Sequence, residues 1–568
     1  MVFCLTSLCL SPASLLELRI GFADGAGAKG GVTLNGERPD RSEFRDFQNT
    51  GEPFDLYIQA LDWFQGTEQP ELLSFFQVAA AEYPEGPTRT RYQAAAVTFR
   101  IPYWDWAYNA TMPDLVNSPT IEVNTKNGPQ TLRNPLAAYV FHPKPDASVF
   151  PTNEMVSVPS LSLTPPTHLT APYKWWSSTA QQGSQYSQTV RRPDGNGNSQ
   201  PDAINAVLNS NAGSLHDRIY LLLSRETEYS AFSNTNGQRS DTNSDSLEAV
   251  HNDIHVLVGW GGHMMYVPYS AFDPIFWLHH TNIDRLYAIW QAINPDSYVI
   301  DQVSRFNTFT TNSGSTEGVN TALAPFHGPN DIEFTSANSR HTVQFGYTYP
   351  EVRDWSKTPA EVKSDAQAAV NRLYGPAGVL TRRGSSIGDV TPPLRIPPGL
   401  ISDGGYRRWF VNIRLHKFAL GGPGIIHIFA GNFSNDPKEW PTDPSLVGSG
   451  TIFANPNTTS TSGGDELFVH ASIPLTRKLV DAYDKELISS LDPASVTPFL
   501  AKYLDWRVTK DGYTAIDPGR VNTLKIYVGS QDVTVPASDT EFPTYGASYS
   551  HIECTNGKPG GVDYGDGS

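Results

Sequence analysis

The sequence predicts a mainly α helical bundle followed by a mainly β, sandwich-like domain. Apolar residues recur at helical spacing from Phe54 to Val78 and again from Ser214 to Ile293, and beyond about Pro393 the pattern changes to strand-like alternation. The chain's 568 residues, at roughly 100–200 per domain, are enough for two to four cores.

The elements follow in order. The segment 1–49 reads as an N-terminal arm, because Gly21–Asn49 is rich in Gly, Arg and Asp and poor in large apolar residues. Leu56, Ile58, Ala60, Leu61 and Phe64, then Leu72, Leu73, Phe75, Phe76 and Val78, form two apolar helical stripes. Ile101-Pro-Tyr-Trp-Asp-Trp106 is an aromatic knot, and 107–213, rich in Pro, Asn, Ser and Thr, reads as loops with short strands. Helices are predicted at Ser214–Arg225, Ser246–Val258 and Pro274–Ile293, which assigns 50–350 to the helical domain. Within a linker at 351–393, Thr358-Pro-Ala-Glu361 is a capping box with Pro at the first helical position. Val362, Ala366, Ala369, Val370 and Leu373 give this helix a buried face, and Gly375-Pro376 stops it. The second domain, 394–568, has strands predicted at Trp409–Leu420, Gly424–Phe433, Gly448–Ala454, Glu466–Ile473 and Asn522–Val528, with a short helix at Pro498–Leu504.

Composition narrows the function classes. With 41 Lys+Arg against 58 Asp+Glu the net charge is −17, and no basic cluster interrupts it, which argues against nucleic acid and anionic membranes as partners. No apolar run reaches the roughly 20 residues of a membrane span. The first cation is Arg19, so the apolar start lacks the basic flank of a convincing signal peptide, and the expectation is a soluble chain, cytoplasmic or secreted. Three cysteines (Cys4, Cys9, Cys554) cannot build a disulfide framework.

Histidine carries the chemistry. None of the 14 precedes His142, whereas His251, His255, His263, His279 and His280 lie close together. Asp245-Ser-Leu-Glu248 starts a helix by the capping-box pattern, with Leu247, Val250, His251, Ile254, His255 and Val258 on one face. Imidazoles four residues apart stand one above the other and can reach one metal ion. Asp273-Pro274 opens the next helix, whose stripe of Phe276, His280, Ile283, Tyr287 and Trp290 includes His280, although His279 also has apolar neighbours. Two helices thus offer three imidazoles and an open position, a set that suits copper, zinc, iron or nickel. The alternative is a group of core histidines satisfied by hydrogen bonds. Asn252 stands where the zinc-protease HExxH motif requires Glu, which removes that reading.

His251-Asn-Asp-Ile-His255, Gly261-Gly-His-Met264 and Ser270-Ala-Phe-Asp-Pro-Ile-Phe-Trp-Leu-His-His-Thr-Asn-Ile-Asp-Arg-Leu286 resemble the second copper motif (CuB) of the tyrosinases and polyphenol oxidases. The similarity to fungal members extends through Asp55–Leu61, Ser74–Ala79, Ile101–Trp106, Asn134–Leu136, Phe141–Pro143 and Ala231–Asn234. It continues into the C-terminal domain at Arg408–Leu420, Ile426–Gly431 and Tyr503–Val508. The resemblance implies a helical-bundle copper oxidase domain with a type-3 dicopper centre, three histidines to each copper. Phenolic substrates and dioxygen are the implied partners, and oxidation of monophenols and o-diphenols to o-quinones, the precursors of melanin-type pigment, is the implied activity. It assigns His251, His255 and His280 to CuB, choosing the second histidine of the adjacent pair. It gives Glu248 and Asn252 the catalytic task of orienting a water that deprotonates a bound phenol, though Glu248 also reads as a helix cap. Phe276 packs over the imidazoles, Arg285 is structural, and His263 with Met264–Val267 lines the substrate entrance.

The sequence departs from the family where the first copper motif (CuA) belongs. Ser74–Ala79 runs directly into Ala80-Ala-Glu-Tyr-Pro84, and Ala79–Ile101 is too short for that motif and holds no histidine. The second copper's ligands are therefore not found, and an internal segment is missing at the seam Ala79/Ala80. Its loss is expected to expose apolar helix faces. A chain with only the CuB half is expected to be inactive on phenols, which leaves a non-catalytic copper- or zinc-binding protein as the alternative. In the C-terminal domain Phe453 is the candidate for the aromatic placeholder with which fungal enzymes plug the copper pocket; its other reading is an ordinary strand core residue. No cysteine in Asn457–Gly464 offers help with copper loading, and Asn109, Asn432 and Asn457 begin N-glycosylation triplets.

Overall fold

A computed structural model describes residues 33, 36–66, 72–141, 186–235, 245–267, 270–304, 311–312, 314–327, 332–376, 390–454, 467–536, 538 and 540–564. The signal-peptide region, Cys4, Cys9, His142, His168, Asn457 and Asn457–Gly464 lie outside these residues.

Among the described residues eleven α-helices precede or flank fourteen strands. The first four are α1 (Phe44–Phe47), α2 (Glu52–Gly66), α3 (Leu72–Glu82) and α4 (Pro87–Thr98). A hairpin of β1 (Thr120–Thr125) and β2 (Gly128–Arg133) follows. The central helices are α5 (Pro201–Arg225), α6 (Tyr229–Ser233), α7 (Leu247–Gly259) and α8 (Ile275–Ile293). Two small antiparallel pairs come next, β3 (Gln302–Val303) with β4 (Thr316–Glu317) and β5 (Ala322–His327) with β6 (Glu333–Thr335). Helix α9 (Pro359–Tyr374) carries the predicted capping box, both of its hydrogen bonds formed.

Several expectations for this half need correction. The arm is not a surface segment throughout: Phe44 and Phe47 enter the core, and buried Arg41 pairs with Asp284 at 3.1 Å and donates to the Tyr349 hydroxyl at 3.0 Å. Helix α9 is not part of a linker, because Ala366, Val370 and Tyr374 pack into the helical core. Helix α5 begins thirteen residues before the predicted start, with Pro201 at its first turn and Ile204, Val207, Leu208 and Asn211 buried. Asn109 is buried and its side chain accepts from the Thr111 amide at 3.1 Å, so it is no glycan acceptor.

The seam Ala79/Ala80 lies inside the unbroken helix α3, with both alanines buried. Most of the described apolar side chains around the seam are packed rather than exposed. Phe76 stacks on Phe99 at 3.9 Å, and the knot's Trp104 and Trp106 are fully buried. Among the side chains described on α3 and α4, the large apolar ones that stand exposed are Val78 (51%) and Val97 (47%).

The second half is an antiparallel sandwich. One sheet has the order β10-β7-β13-β14, formed by β7 (Gly405–His416), β10 (Phe468–Pro474), β13 (Lys525–Thr534) and β14 (Thr544–Ser550). The other has the order β12-β11-β8-β9, formed by β8 (Gly424–Ala430), β9 (Leu446–Ile452), β11 (Leu504–Lys510) and β12 (Thr514–Ile516). Trp409, Val411, Ile413, Ile426, Ile428, Trp506 and Val528 share its core. Helix α10 (Thr476–Asp484) was not expected, and α11 (Pro493–Tyr503) starts five residues before the predicted helix.

The sandwich packs directly on the helices. Every residue of β9 is buried, since one face meets the sandwich core and the other meets α5 and α7. A Cβ at Gly448 would lie 2.6 Å from Ser214 Oγ, so only glycine allows this approach. Arg477 on α10 binds Asp217 on α5 at 2.6 and 2.7 Å, and Tyr513 donates to the Trp260 carbonyl at 3.1 Å.

Candidate metal centre

Helices α7 and α8 cross with their histidines facing one another. Ser246, not Asp245, caps α7, accepting from the Ala249 amide at 3.1 Å. Asp245 is withdrawn from the expected capping box because buried Arg218 binds both its oxygens, at 2.7 and 2.8 Å. Helix α8 starts at Ile275, one residue later than predicted, while Asp273 accepts from the Ile275 amide at 3.2 Å and is clamped by Arg191.

His251 Nε2 and His255 Nε2 lie 3.3 and 3.0 Å from His280 Nε2. These edges meet because residues four apart share a helix face and α8 presents His280 to that face. The far nitrogens are fixed. His251 Nδ1–H donates to the Asn252 side-chain oxygen at 3.0 Å, and His255 Nδ1–H donates to the Met264 carbonyl at 3.0 Å. Each leaves an Nε2 lone pair directed at the shared point, the usual outer support of a metal-binding imidazole. Phe276 stacks on His280 at 3.8 Å. His279 also contributes a ring nitrogen to the one group of metal-ligating side chains found among the described residues, all within 4.8 Å.

Burial holds these rings neutral. It lowers His251 to about 4 and puts His255, His279 and His280 well below the ordinary 6.5. Burial likewise lowers His263 and His427 to about 3. The unfolded chain therefore binds more protons than the metal-free folded chain between pH 6.5 and about 4, so stability should fall as pH drops through that window. Urea midpoints of metal-free protein measured across this range check it; a flat profile would contradict the buried neutral rings.

His263, Met264 and Val267 are all buried, and His263 Nδ1 accepts from the Val190 amide at 2.8 Å. His263 also lies against Phe141, ring centroids 5.6 Å apart. Glu248 does not cap its helix: its carboxylate accepts from the Thr235 amide at 2.8 Å and hydroxyl at 3.2 Å, tying α7 to the end of α6.

Phe453, just beyond β9, stacks on His255 at 4.5 Å and meets His251 edge-on at 6.3 Å. It is 5% exposed and belongs to the helical core, whereas nearly all of the sandwich's other buried apolar residues do not. The strand-core reading is thus corrected. Sequence reasoning missed the Met264 carbonyl as a partner of His255 and the Trp106–His279 contact at 3.0 Å, both of which depend on packing between segments. It did find Arg285, which binds Asp105 of the knot at 3.0 Å and Glu351 at 2.6 Å.

Three neutral imidazoles, two of them fixed through Nδ1 and the third stacked on Phe276, fit one copper. The residues present do not fit a second, since no histidine occurs in the first 141 residues and the described residues hold no other such group.

Comparison with known proteins agrees with this architecture. The common central domain of tyrosinase matches residues 80–293, and the tyrosinase C-terminal domain matches 408–528. The tyrosinase of Podospora anserina is 31% identical, covering 74% of this chain and 78% of that protein. The Neurospora crassa tyrosinase is 27% identical over 691 aligned positions, covering 93% of this chain and 96% of that protein. That alignment is longer than this chain's 568 residues, so the relative carries segments this chain lacks. A solved mushroom tyrosinase, in latent and active forms, superposes with a TM-score of 0.72 at 23% identity, covering 92% of this chain and 98% of that one. With both domains matched and copper implied by the family, the chain belongs to the tyrosinases, the type-3 copper polyphenol oxidases.

Proposed function

We propose that this chain binds a single copper through His251, His255 and His280 and does not carry out the phenol oxidation of its relatives. The observation that carries the reading is the convergence of three oriented imidazoles in a chain without a second histidine set. In an intact relative, copper supplies reversible one-electron chemistry and binds dioxygen, and o-diphenols or monophenols leave as o-quinones. Two metals, each giving one electron, are what that chemistry requires, and this chain has ligands for one.

The other residues take supporting roles in this reading. Asn252 fixes the His251 ring through its side-chain oxygen, and one Glu248 carboxylate oxygen holds Thr235. Phe276 covers one face of His280, while Phe453 covers His255 from the C-terminal domain and acts as the placeholder over the centre. Zinc in place of copper is the second reading, favoured by the redox-neutral fit of three imidazoles.

The test is turnover. Purified full-length protein loaded with copper should oxidise catechol no faster than the same copper in buffer, followed by oxygen uptake. Robust turnover of catechol would overturn the proposal. Sequencing the transcript across codons 75–100 tests the seam independently, since an in-frame exon encoding histidines there would restore the dicopper reading.

Phe453→Ala should open the His255 face. We expect a chelator to strip the metal faster from this variant, together with a stability loss of about 3–5 kcal/mol, typical of removing a buried ring. An unchanged stripping rate would remove Phe453 from the placeholder role.

A further inference from the structure

Trp106 and His279 stand beside the three converging imidazoles, and the reading above assigns them nothing. Both are fully buried, and the Trp106 indole N–H donates to His279 Nδ1 at 3.0 Å. An indole nitrogen can only donate, so Nδ1 accepts. A neutral ring that accepts at Nδ1 carries its proton on Nε2. His251 and His255 are set the opposite way, with Nδ1–H given to Asn252 and Met264 and the Nε2 lone pair left for a metal. His279 Nε2 is buried, and a hydrogen bond from the ring to the His251 backbone favours a proton on that nitrogen. A ring nitrogen of His279 nevertheless lies within 4.8 Å of those of His251, His255 and His280.

Four imidazoles at that spacing would saturate a tetrahedral ion, whereas three leave a position for an outside ligand. We propose that Trp106 is a positioning residue that holds His279 in its Nε2–H tautomer and so keeps the metal centre three-coordinate and open. A protonated Nε2 has no lone pair in the ring plane to give a metal. Without the indole N–H, the proton is free to move to Nδ1, and Nε2 becomes a fourth ligand. The inference rests on the three-histidine reading and supplies from this chain the reason that His280, rather than His279, is the ligand on α8.

The test compares full-length parent and Trp106→Phe. In the metal-free parent, histidine-selective nitrogen NMR should show His279 protonated at Nε2, and protonation at Nδ1 there overturns the proposal. This readout needs neither a variant nor a bound metal. With Cu(II) loaded, pulsed EPR should count three imidazoles in the parent and four in Trp106→Phe, and azide affinity should fall about tenfold or more in the variant, the scale of an outer-support change. Four imidazoles in the parent, or three in both proteins with equal azide affinity, would also overturn it. A parent that binds no copper while its NMR shows the Nε2–H tautomer would sink the three-histidine reading and leave the Trp106 lock standing.

Discussion

His251→Ala is expected to weaken copper binding by about two to three orders of magnitude. Four-ligand structural sites bind zinc with roughly 10–16 kcal/mol, or about 2.5–4 kcal/mol per ligand. In the proposed set His251 is one of three ligands, and the fourth histidine of the group, His279, already has its Nδ1 engaged by the Trp106 indole. The Ala variant also frees the Asn252 side-chain oxygen without changing its surroundings. His280→Ala should behave alike, whereas His279→Ala should stay within about tenfold of the parent. Competition with a calibrated chelator, alongside circular dichroism to confirm folding, reads the difference. Full affinity in His280→Ala with loss in His279→Ala would show the ligand choice to be wrong.

A large loss of stability is also expected for Arg285→Met. The guanidinium joins four segments: it binds Asp105 of the knot, Glu351, Asn282 on its own helix and the Tyr374 hydroxyl of α9, and it lies over the Tyr103 ring at 4.6 Å. Burial pushes Glu351 up, but the Arg285 charge more than offsets this and holds it below its ordinary 4.5. Methionine fills the volume and strands two buried carboxylates, at a cost of about 3–5 kcal/mol. The sign with pH follows. The parent's contribution from Glu351 is present above its unfolded value and is lost as pH falls through its lower folded value, so the gap between parent and variant should narrow below pH 4.5. Denaturant midpoints at neutral and acid pH measure both; a deficit under about 1 kcal/mol at neutral pH would contradict the clamp.

What the sequence revealed and what it hid divides along physical lines. The His251/His255 pair was legible because helical spacing alone puts both rings on one face, and the buried stripe confirmed which face. The capping box of α9 was legible for the same local reason. The start of α5 was obscured by Asn205, Asn209, Ser210 and Asn211, polar residues of weak helical preference whose neighbours Val207 and Leu208 only find their partners in the folded core. Helix α4 was missed because its apolar residues form no clear stripe; only Tyr92 and Ala95 are buried. Phe453 could not be placed by alternation, which says that a residue is inside without saying which domain's inside it joins. Trp106 and His279 are 173 positions apart, and nothing local marks the pair.

A tyrosinase-family chain that keeps one copper site of two should hold a single, magnetically isolated copper. Metal analysis of the copper-loaded full-length chain, combined with spin quantification by EPR, tests it most directly. One copper per chain, with one EPR-visible spin for each copper, is the expected result. Two coppers per chain with no EPR signal, the behaviour of a coupled pair, would contradict it.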